Sequence, residues 1–187
     1  MFDWVLILDT NFFFLINKSM ANSVFDVVMP FITNDKNFRI PILLVWIGLI
    51  IFGGKRGRIA AALIIPLIIL TDYVSSSVIK PLVERIRPCN ALEGVRLLVS
   101  CSKAFSFTSS HATNIFGAAF FFSRLYPKTN LFVFIFAGTV GYSRSYVGVH
   151  YPFDVICGGL LGIFLAWLIL FTYQKITSKY FLKYGIE

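Results

Sequence analysis

Long apolar runs separated by short polar segments constrain the fold of this chain more than any other feature of its sequence. A membrane-spanning helix needs about 20 predominantly apolar residues, and several of these runs approach that length only with their flanks included. Charged residues make up 14% of the chain, against roughly 25% in soluble domains. These proportions are typical of integral membrane proteins. The apolar runs cover residues 40–53, 59–80, 112–126, 131–142 and 155–173.

The runs predict an all-α fold, a polytopic bundle of about five transmembrane helices. We expect the whole chain, residues 1–187, to form one membrane domain, with its helical core at residues 39–178. A six-helix alternative makes residues 1–15 or 23–33 an additional span.

The N-terminal residues have a different character from the core. Their apolar side chains return at helical spacing, but Asp3, Asp9 and Asn11 interrupt them. Such a pattern favours a helix that lies in the membrane interface rather than across it. A second short helix is predicted near residues 22–31, so that residues 1–38 form interfacial helices.

The net charge of +8 is distributed over short loops and polar blocks rather than along one stripe. This distribution disfavours nucleic acid as a partner and favours an anionic lipid or a phosphorylated substrate. The positive-inside rule makes the basic loops after the first, third and fifth runs cytoplasmic. Three polar blocks, at residues 80–88, 108–111 and 143–154, then share the opposite face, where Arg85 and Arg96 also lie. The cytoplasmic basic residues are Lys55, Arg56, Arg58, Arg124, Lys128, Lys175, Lys179 and Lys183.

The first and third blocks supply three cations. Lys80 and Arg87 are seven residues apart, so a helix ending before Pro88 would place both on one face. Arg144 adds a third positive charge. An arginine fork matches phosphate oxygens and a lysine supplies a compact charge, which predicts a site for a dianionic group. The alternative is that these long side chains extend to the membrane interface.

The second block places Ser109, Ser110 and His111 directly before the third apolar run. Backbone N–H groups at a helix start point towards an anion, and the helix dipole favours negative charge there. The serine hydroxyls add hydrogen-bond donors. Capping of the helix is the alternative role for the serines, and the two roles are compatible.

His150 and Asp154 are four residues apart, so on one helical turn the carboxylate would bond one ring nitrogen and leave the other free to attack. His111 would then protonate the leaving oxygen. A His–Asp pair alone is more often structural. Together with a second histidine and three cations, it predicts phosphoryl transfer through a phosphohistidine. No Cys or His spacing suggests a metal site, so no cofactor is expected.

Two cysteines, Cys89 and Cys101, lie in the longest polar stretch, residues 81–108. Two thiols in one loop on an oxidising face predict a disulfide, and the alternative is two free cysteines in a cytoplasmic loop. Cys157, in the last apolar run, is predicted to be a packing residue.

At these blocks the chain resembles the type 2 phosphatidic acid phosphatase family of membrane lipid phosphatases. The family pattern is Lys, six residues, Arg-Pro; then Pro-Ser-Gly-His; then Ser-Arg, five residues, His, three residues, Asp. Residues 80–88 and 143–154 match the first and third parts fully. In residues 108–111, Thr108 replaces the proline and Ser110 the glycine, while the serine and the histidine remain.

The resemblance implies a helical core, a metal-independent reaction and a role for each matching residue. His150 would be the nucleophile, Asp154 its partner and His111 the acid. The implied phosphate-binding residues are Lys80, Arg87, Ser109 and Arg144.

Within the family, the two-cysteine loop and the Ser-Ser-His variant are similar to bacterial phosphatases that act on the outer face of the inner membrane. This similarity implies a multi-pass inner-membrane protein whose active site faces the periplasm. Lipid A 1-phosphate and undecaprenyl pyrophosphate are the favoured substrates, and phosphatidylglycerol phosphate is a further candidate.

Three other functions remain as alternatives. A lipid-to-lipid phosphotransferase would use the same site and pass the phosphate to an acceptor lipid. A non-catalytic anion- or lipid-binding or transport protein would need the cations but not the His–Asp pair. Vanadium-dependent haloperoxidases share the pattern by resemblance, but they are soluble and this composition is not.

Overall fold

The structure, a computed structural model, describes the backbone of residues 3–184 and the side chains of residues 4–178. This part of the chain is a membrane bundle of α-helices without a β-strand. The prediction of an all-α fold is confirmed. Some predicted features lie outside the described residues, namely residues 1–2, residues 185–187 and the side chains of Lys179 and Lys183.

The described backbone contains nine α-helices. The five predicted apolar runs correspond to α3, α4, α7, α8 and α9. π-Helical turns extend α1 and α4, at Leu15–Ser19 and Val74–Ile79. The helices are α1 (Asp3–Phe14), α2 (Ser23–Thr33), α3 (Arg39–Phe52), α4 (Gly54–Tyr73), α5 (Lys80–Val83), α6 (Pro88–Ala91), α7 (Ser110–Leu125), α8 (Asn130–Tyr146) and α9 (Pro152–Tyr184).

Two helical segments of the described chain are long and apolar enough to cross a membrane, Gly54–Ala91 with 38 residues and Pro152–Ser178 with 27. The chain bends by 117° between Trp4–Ser19 and Ser23–Thr33, so together these helices would form one broken span or a re-entrant loop. Helices α3, α7 and α8 contain 14, 16 and 17 residues. At about 1.5 Å per residue they fall short of a hydrocarbon core of about 30 Å. The number of spans and the interfacial position of residues 1–38 therefore stay predictions.

Glycines on α9 allow this helix to approach α7 closely. A Cβ atom on Gly162 would collide with the carbonyl oxygen of Thr113, and one on Gly158 would lie 2.8 Å from the carbonyl oxygen of Ser109. Only glycine permits this backbone contact without displacing one helix. The close approach places the N-terminus of α7 beside the N-terminus of α9, where the second and third polar blocks lie.

The first block does not form the single helix predicted over residues 80–87. Helix α5 ends at Val83, and Glu84 adopts a left-handed conformation with φ of 52°. Arg87 is extended, because a residue before proline disfavours the helical conformation. Pro88 was expected to stop a helix but begins α6 instead, since its missing N–H is not needed in a first turn.

The N-terminal helices are anchored to the end of the bundle that carries the polar blocks. The Asn17 amide donates to the carbonyl oxygens of Arg96 and Tyr146 at 2.8 and 2.7 Å. Arg96 in turn forms an ion pair with Asp26 of α2 at 2.7 Å. These contacts join residues at least 70 positions apart and hold α1 and α2 against α8 and the loop before α7.

Candidate active site

The three polar blocks meet at one end of the bundle, as the alternation of helices predicts. Lys80 lies where α4 continues into α5, Ser109 precedes α7, and His150 lies in the segment between α8 and α9. The N–H of Ser109 donates to the carbonyl oxygen of Asp154 at 3.0 Å. This bond joins the second block to the third through the backbone.

His150 lies at the centre of this cluster and is almost completely buried, with 2% of its surface exposed. It precedes α9 rather than sharing a helical turn with Asp154, so the predicted helical spacing of the pair is wrong. The two side chains nevertheless come close, because the segment turns into α9 at Pro152. The Nδ1 atom of His150 lies 3.5 Å from Oδ2 of Asp154, beyond hydrogen-bond contact.

The hydrogen bonds of His150 determine its tautomer. Its Nε2 atom lies 3.0 Å from Nη1 of Arg87. An arginine side chain only donates hydrogen bonds, so Nε2 must be the unprotonated acceptor and the neutral ring carries its proton on Nδ1. That proton faces Asp154, and the lone pair of the potential nucleophile faces Arg87.

The environment also keeps His150 neutral. Burial is the main cause that lowers the pKa of its imidazole well below the ordinary value, and the neighbouring positive charges lower it further. At neutral pH the ring is therefore uncharged, which a nitrogen nucleophile requires. The side chains whose charges lower the pKa are Arg144, Arg87, Lys80 and His111.

Lys80 is buried, and two of its three N–H donors are already bonded. Its ammonium group donates to the carbonyl oxygen of Thr108 at 2.6 Å and to Oγ of Ser110 at 2.7 Å. The Ser110 hydroxyl also lies 3.0 Å from Ser75 and 2.9 Å from Ser76, two serines of the π-helical turn. The lysine thus fixes the start of α7 while it contributes positive charge to the site.

Arg87 connects the loop before α7 to His150. Its Nε donates to the carbonyl oxygen of Ala104 at 2.7 Å, and Nη1 donates to that of Val149 at 3.1 Å as well as to His150. The guanidinium group therefore covers the nitrogen expected to attack. An incoming phosphate has to draw this donor away from Nε2.

Arg144 and His111 complete the ring of polar groups. Nη1 of Arg144 donates to the hydroxyl of Thr33 at the end of α2, while its Nε is buried without a hydrogen-bond partner among the described residues. A buried guanidinium N–H without a partner is available for an anion. His111 lies within electrostatic range of Arg144, Arg87, Lys80 and Asp35.

Ser109 caps α7, the alternative role that the sequence left open. It is fully buried, and its Oγ accepts a long hydrogen bond from the N–H of Ala112 at 3.5 Å. The side chain is thus directed at its own helix. Its hydroxyl hydrogen and the backbone N–H groups of the first turn remain as the groups by which this helix start would meet an anion.

A known protein family matches the part of the chain that forms this site. The model of the PAP2 superfamily matches residues 61–178, more than half of the chain, and this range contains all three blocks. The chain belongs to the PAP2 superfamily. The resemblance drawn from the sequence is thereby confirmed.

Two of the curated relatives that match this chain are named as phosphatases. The chain is 36% identical over 119 residues to a lipid A 4'-phosphatase of Bacteroides thetaiotaomicron, covering 60% of this chain and 53% of the relative. It is 34% identical over 128 residues to an undecaprenyl-diphosphatase of Sulfolobus acidocaldarius, covering 66% and 61%. The chain spans about half the length of the curated relatives it matches.

Solved PAP2-type structures share the fold. The crystal structure of Aquifex aeolicus LpxE superposes with a TM-score of 0.71 at 27% identity, covering 87% of this chain and 94% of that one. A transmembrane PAP2-type phosphatidylglycerolphosphate phosphatase from Bacillus subtilis superposes with a TM-score of 0.68 at 24% identity, covering 92% and 87%. The bundle is therefore the transmembrane PAP2 fold.

The cysteine loop of this PAP2 protein lies beside Arg87. Cys89 and Cys101 are joined in a disulfide, with their Cα atoms 6.3 Å apart. The bond closes the segment just after Arg87 and just before Ala104, whose carbonyl oxygen holds the arginine. Cys157 is a free, partly buried cysteine on α9.

Sequence reasoning missed two charged residues of the site, Arg85 and Asp9. Arg85 was grouped with the loop charges of the outer face, and Asp9 was interpreted as a polar interruption of an interfacial helix. In the structure Arg85 lies between Asp9 and Asp154, with 2.7 Å to an oxygen of each. The sequence contained one signal for this pairing, because a carboxylate within an apolar segment such as that of Asp9 requires a partner.

The last feature of the site is its set of side chains that could bind a metal ion. Among the residues that the structure describes, no group of three or more His, Cys, Asp or Glu side chains is placed to hold a metal ion. The positive charge of the site instead comes from Lys80, Arg87 and Arg144.

Proposed function

We propose that this protein is a membrane lipid phosphatase that forms a phosphohistidine on His150 and needs no metal ion. The observation that carries the proposal is the Nε2 of a buried, neutral histidine, which contacts Arg87 and lies within the electrostatic range of Lys80 and Arg144. Such a nitrogen meets phosphorus where the cations neutralise the phosphate oxygens. PAP2 membership and the phosphatase names of the relatives support the same activity.

In the first step Nε2 of His150 attacks phosphorus, and the N–P bond forms as the bond to the lipid oxygen breaks. His111 donates its proton to that oxygen, so the leaving group departs protonated. It is the lipid alcohol, or a lipid monophosphate when the substrate is a pyrophosphate. The three cations bind the equatorial oxygens, and Arg87 transfers its donor from Nε2 to the phosphate. A dianionic substrate offsets these positive charges and so favours the protonated form of His111.

In the second step water attacks the phosphohistidine. His111, now neutral, takes a proton from the water, the N–P bond breaks, and inorganic phosphate leaves. Asp154 lies near the Nδ1 proton in both steps, where its negative charge stabilises the positively charged phosphoimidazole. The site returns to its starting protonation state.

The favoured substrates are phosphorylated lipids with large anionic head groups. Lipid A phosphate and undecaprenyl pyrophosphate come first, since relatives bear the names lipid A 4'-phosphatase and undecaprenyl-diphosphatase, and phosphatidylglycerol phosphate follows. We place the protein in a bacterial inner membrane with the site facing the periplasm. The basic loops at the opposite end of the bundle support this orientation.

The test is phosphate release by the detergent-purified protein in the presence of EDTA. The lipids are lipid A 1-phosphate, lipid A 4'-phosphate, undecaprenyl pyrophosphate, phosphatidylglycerol phosphate and phosphatidic acid. Release that is lost in His150→Ala and Arg144→Gln but kept in Arg124→Gln supports the proposal, because Arg124 is a cation at the far end of α7.

Quenching during turnover with alkaline detergent should also trap a base-stable, acid-labile phosphoprotein that is absent from His150→Ala. A phosphorylated acceptor lipid in place of free phosphate would make the protein a phosphotransferase. Lipid binding without either product, or activity only after a metal ion is added, would overturn the proposed reaction.

A further inference from the structure

A buried ion triad links the N-terminal helix to the candidate active site. Arg85 donates through Nη1 to Oδ1 of Asp154 and pairs through Nη2 with Oδ2 of Asp9, each at 2.7 Å. Asp154 and Asp9 are 0% and 1% exposed. One guanidinium group is therefore shared by two buried carboxylates, one from α1 and one from the first turn of α9.

Further contacts lock the same segment from the side of α1. The second oxygen of Asp9 accepts a hydrogen bond from the backbone N–H of Phe153 at 2.9 Å. The guanidinium carbon of Arg85 lies 3.8 Å from the ring centre of Tyr151, a cation–π contact. Asp9 of α1 thus holds the chain just after Pro152, and Arg85 contacts the residue just before it.

The two oxygens of Asp154 have different partners. Oδ1 is bound by Arg85, whereas Oδ2 accepts the N–H of Tyr151 at 3.0 Å and faces Nδ1 of His150. With Oδ1 held in place, the carboxylate cannot rotate away from the imidazole. Its orientation therefore depends on a residue outside the family pattern.

The charges of the triad do not cancel. When both carboxylates are ionised, they and the guanidinium group carry a net charge of −1 beside a histidine whose other charged neighbours are cations. If Asp9 were absent, Arg85 would neutralise Asp154 alone, and the negative charge available to His150 would be smaller. A purely structural ion pair would not need this excess, and buried ion pairs are weak evidence for stability.

We propose that Asp9 and Arg85 are positioning residues that orient Asp154 and keep it negatively charged for His150. This inference rests on the proposed phosphohistidine reaction. It gives the N-terminal helix a part in catalysis, in addition to its position against the bundle.

The proposal makes a prediction about the pH profile. Replacing Asp9 by Asn removes one negative charge near His150, which disfavours the imidazolium form and moves the acid limb of kcat/KM to lower pH. The titration of the substrate phosphate is common to all variants and does not affect the comparison. The charged and titratable groups that face His150 are Asp154, Arg87, Lys80, Arg144 and His111.

The experiment compares Asp9→Asn with a matched control, Asp26→Asn, in the full chain. Asp26 also lies on an N-terminal helix and also pairs at 2.7 Å with an arginine of the loop region, but it is not part of the triad. For Asp9→Asn we expect kcat to fall about tenfold or more while KM stays within about twofold, because orientation is lost and phosphate binding is kept. Asp9→Glu keeps the charge and should recover part of the loss.

Each result distinguishes the two proposals. Wild-type protein without lipid phosphatase activity overturns the proposed function. Active wild-type protein with an unchanged kcat and an unmoved acid limb in Asp9→Asn overturns only the positioning role. If Asp9→Asn does not fold, Arg85→Lys serves instead: a normal kcat and pH profile in that folded variant overturns the role, and a lower kcat with a shifted acid limb supports it.

Discussion

The substitution Arg87→Lys tests whether the shape of the cation matters as well as its charge. Arg87 makes three contacts from two nitrogen atoms, at 2.7 Å to Ala104, 3.1 Å to Val149 and 3.0 Å to His150. A lysine ammonium group occupies one point and cannot reproduce this fork. The variant therefore keeps the positive charge but loses contacts to the carbonyl oxygens, to His150 or to the phosphate.

The size of the effect follows from the contacts. A hydrogen bond to a charged group contributes about 1.5–3 kcal/mol. If one such bond to the phosphate is lost in the transition state, kcat/KM falls by about 10- to 150-fold. The carbonyl oxygen of Val149 is buried, and leaving it without its donor also lowers the free energy of unfolding by about 1–3 kcal/mol.

Arg96→Lys is the matched control for Arg87→Lys. Arg96 also makes its contacts from two nitrogen atoms, Nη2 to both carboxylate oxygens of Asp26 at 2.7 Å and Nη1 to the carbonyl oxygen of Asn17 at 3.0 Å. Neither contact involves His150. The assay is steady-state phosphate release per folded protein, with a thermal melt of each variant. We expect both variants to melt earlier and only Arg87→Lys to lose kcat/KM. The reasoning is refuted if Arg87→Lys keeps kcat/KM within about threefold of wild type or if the control loses as much.

Two further predictions concern stability. The pKa of His150 lies well below its ordinary value, so below about pH 6.5 the unfolded chain binds the proton first, and the free energy of unfolding falls by at most about 1.4 kcal/mol per pH unit. Urea titrations at several pH values in this range should show a smaller change in the free energy of unfolding per pH unit in His150→Gln than in wild type. An equal change would contradict the lowered pKa of His150. Gly162→Val should lower stability by about 1–3 kcal/mol through overpacking against Thr113. Gly138→Val, whose Cβ meets nothing within 4 Å, should melt close to wild type, and equal losses in the two variants would contradict the packing argument.

Local features of the fold were predictable because their causes are local. The apolar runs become helices because a membrane leaves the backbone no other hydrogen-bond partners. Ser109 caps α7 because its hydroxyl reaches the N–H groups of the same turn. The meeting of the three blocks also followed from the sequence, since consecutive helices alternate in direction.

The geometry of the His150–Asp154 pair was only partly predictable. Their spacing suggested a common helical turn, but Pro152 begins α9 between them, and the contact arises across a loop. The left-handed conformation of Glu84 likewise ends the helix that was predicted to continue to Arg87. Arg87 instead contacts His150 from an extended segment. Both features depend on how the loops pack on neighbouring helices, which spacing does not encode.

The sequence by itself therefore determined that this chain forms membrane helices and that its three polar blocks, for which we propose phosphate binding, lie at one end. Only the tertiary structure decided which charges pair with one another. Asp9 and Arg85 are 76 positions apart in the chain, and Arg85 stands 69 positions from Asp154. No local pattern relates such residues, because a buried charge selects its partner by distance in the folded molecule.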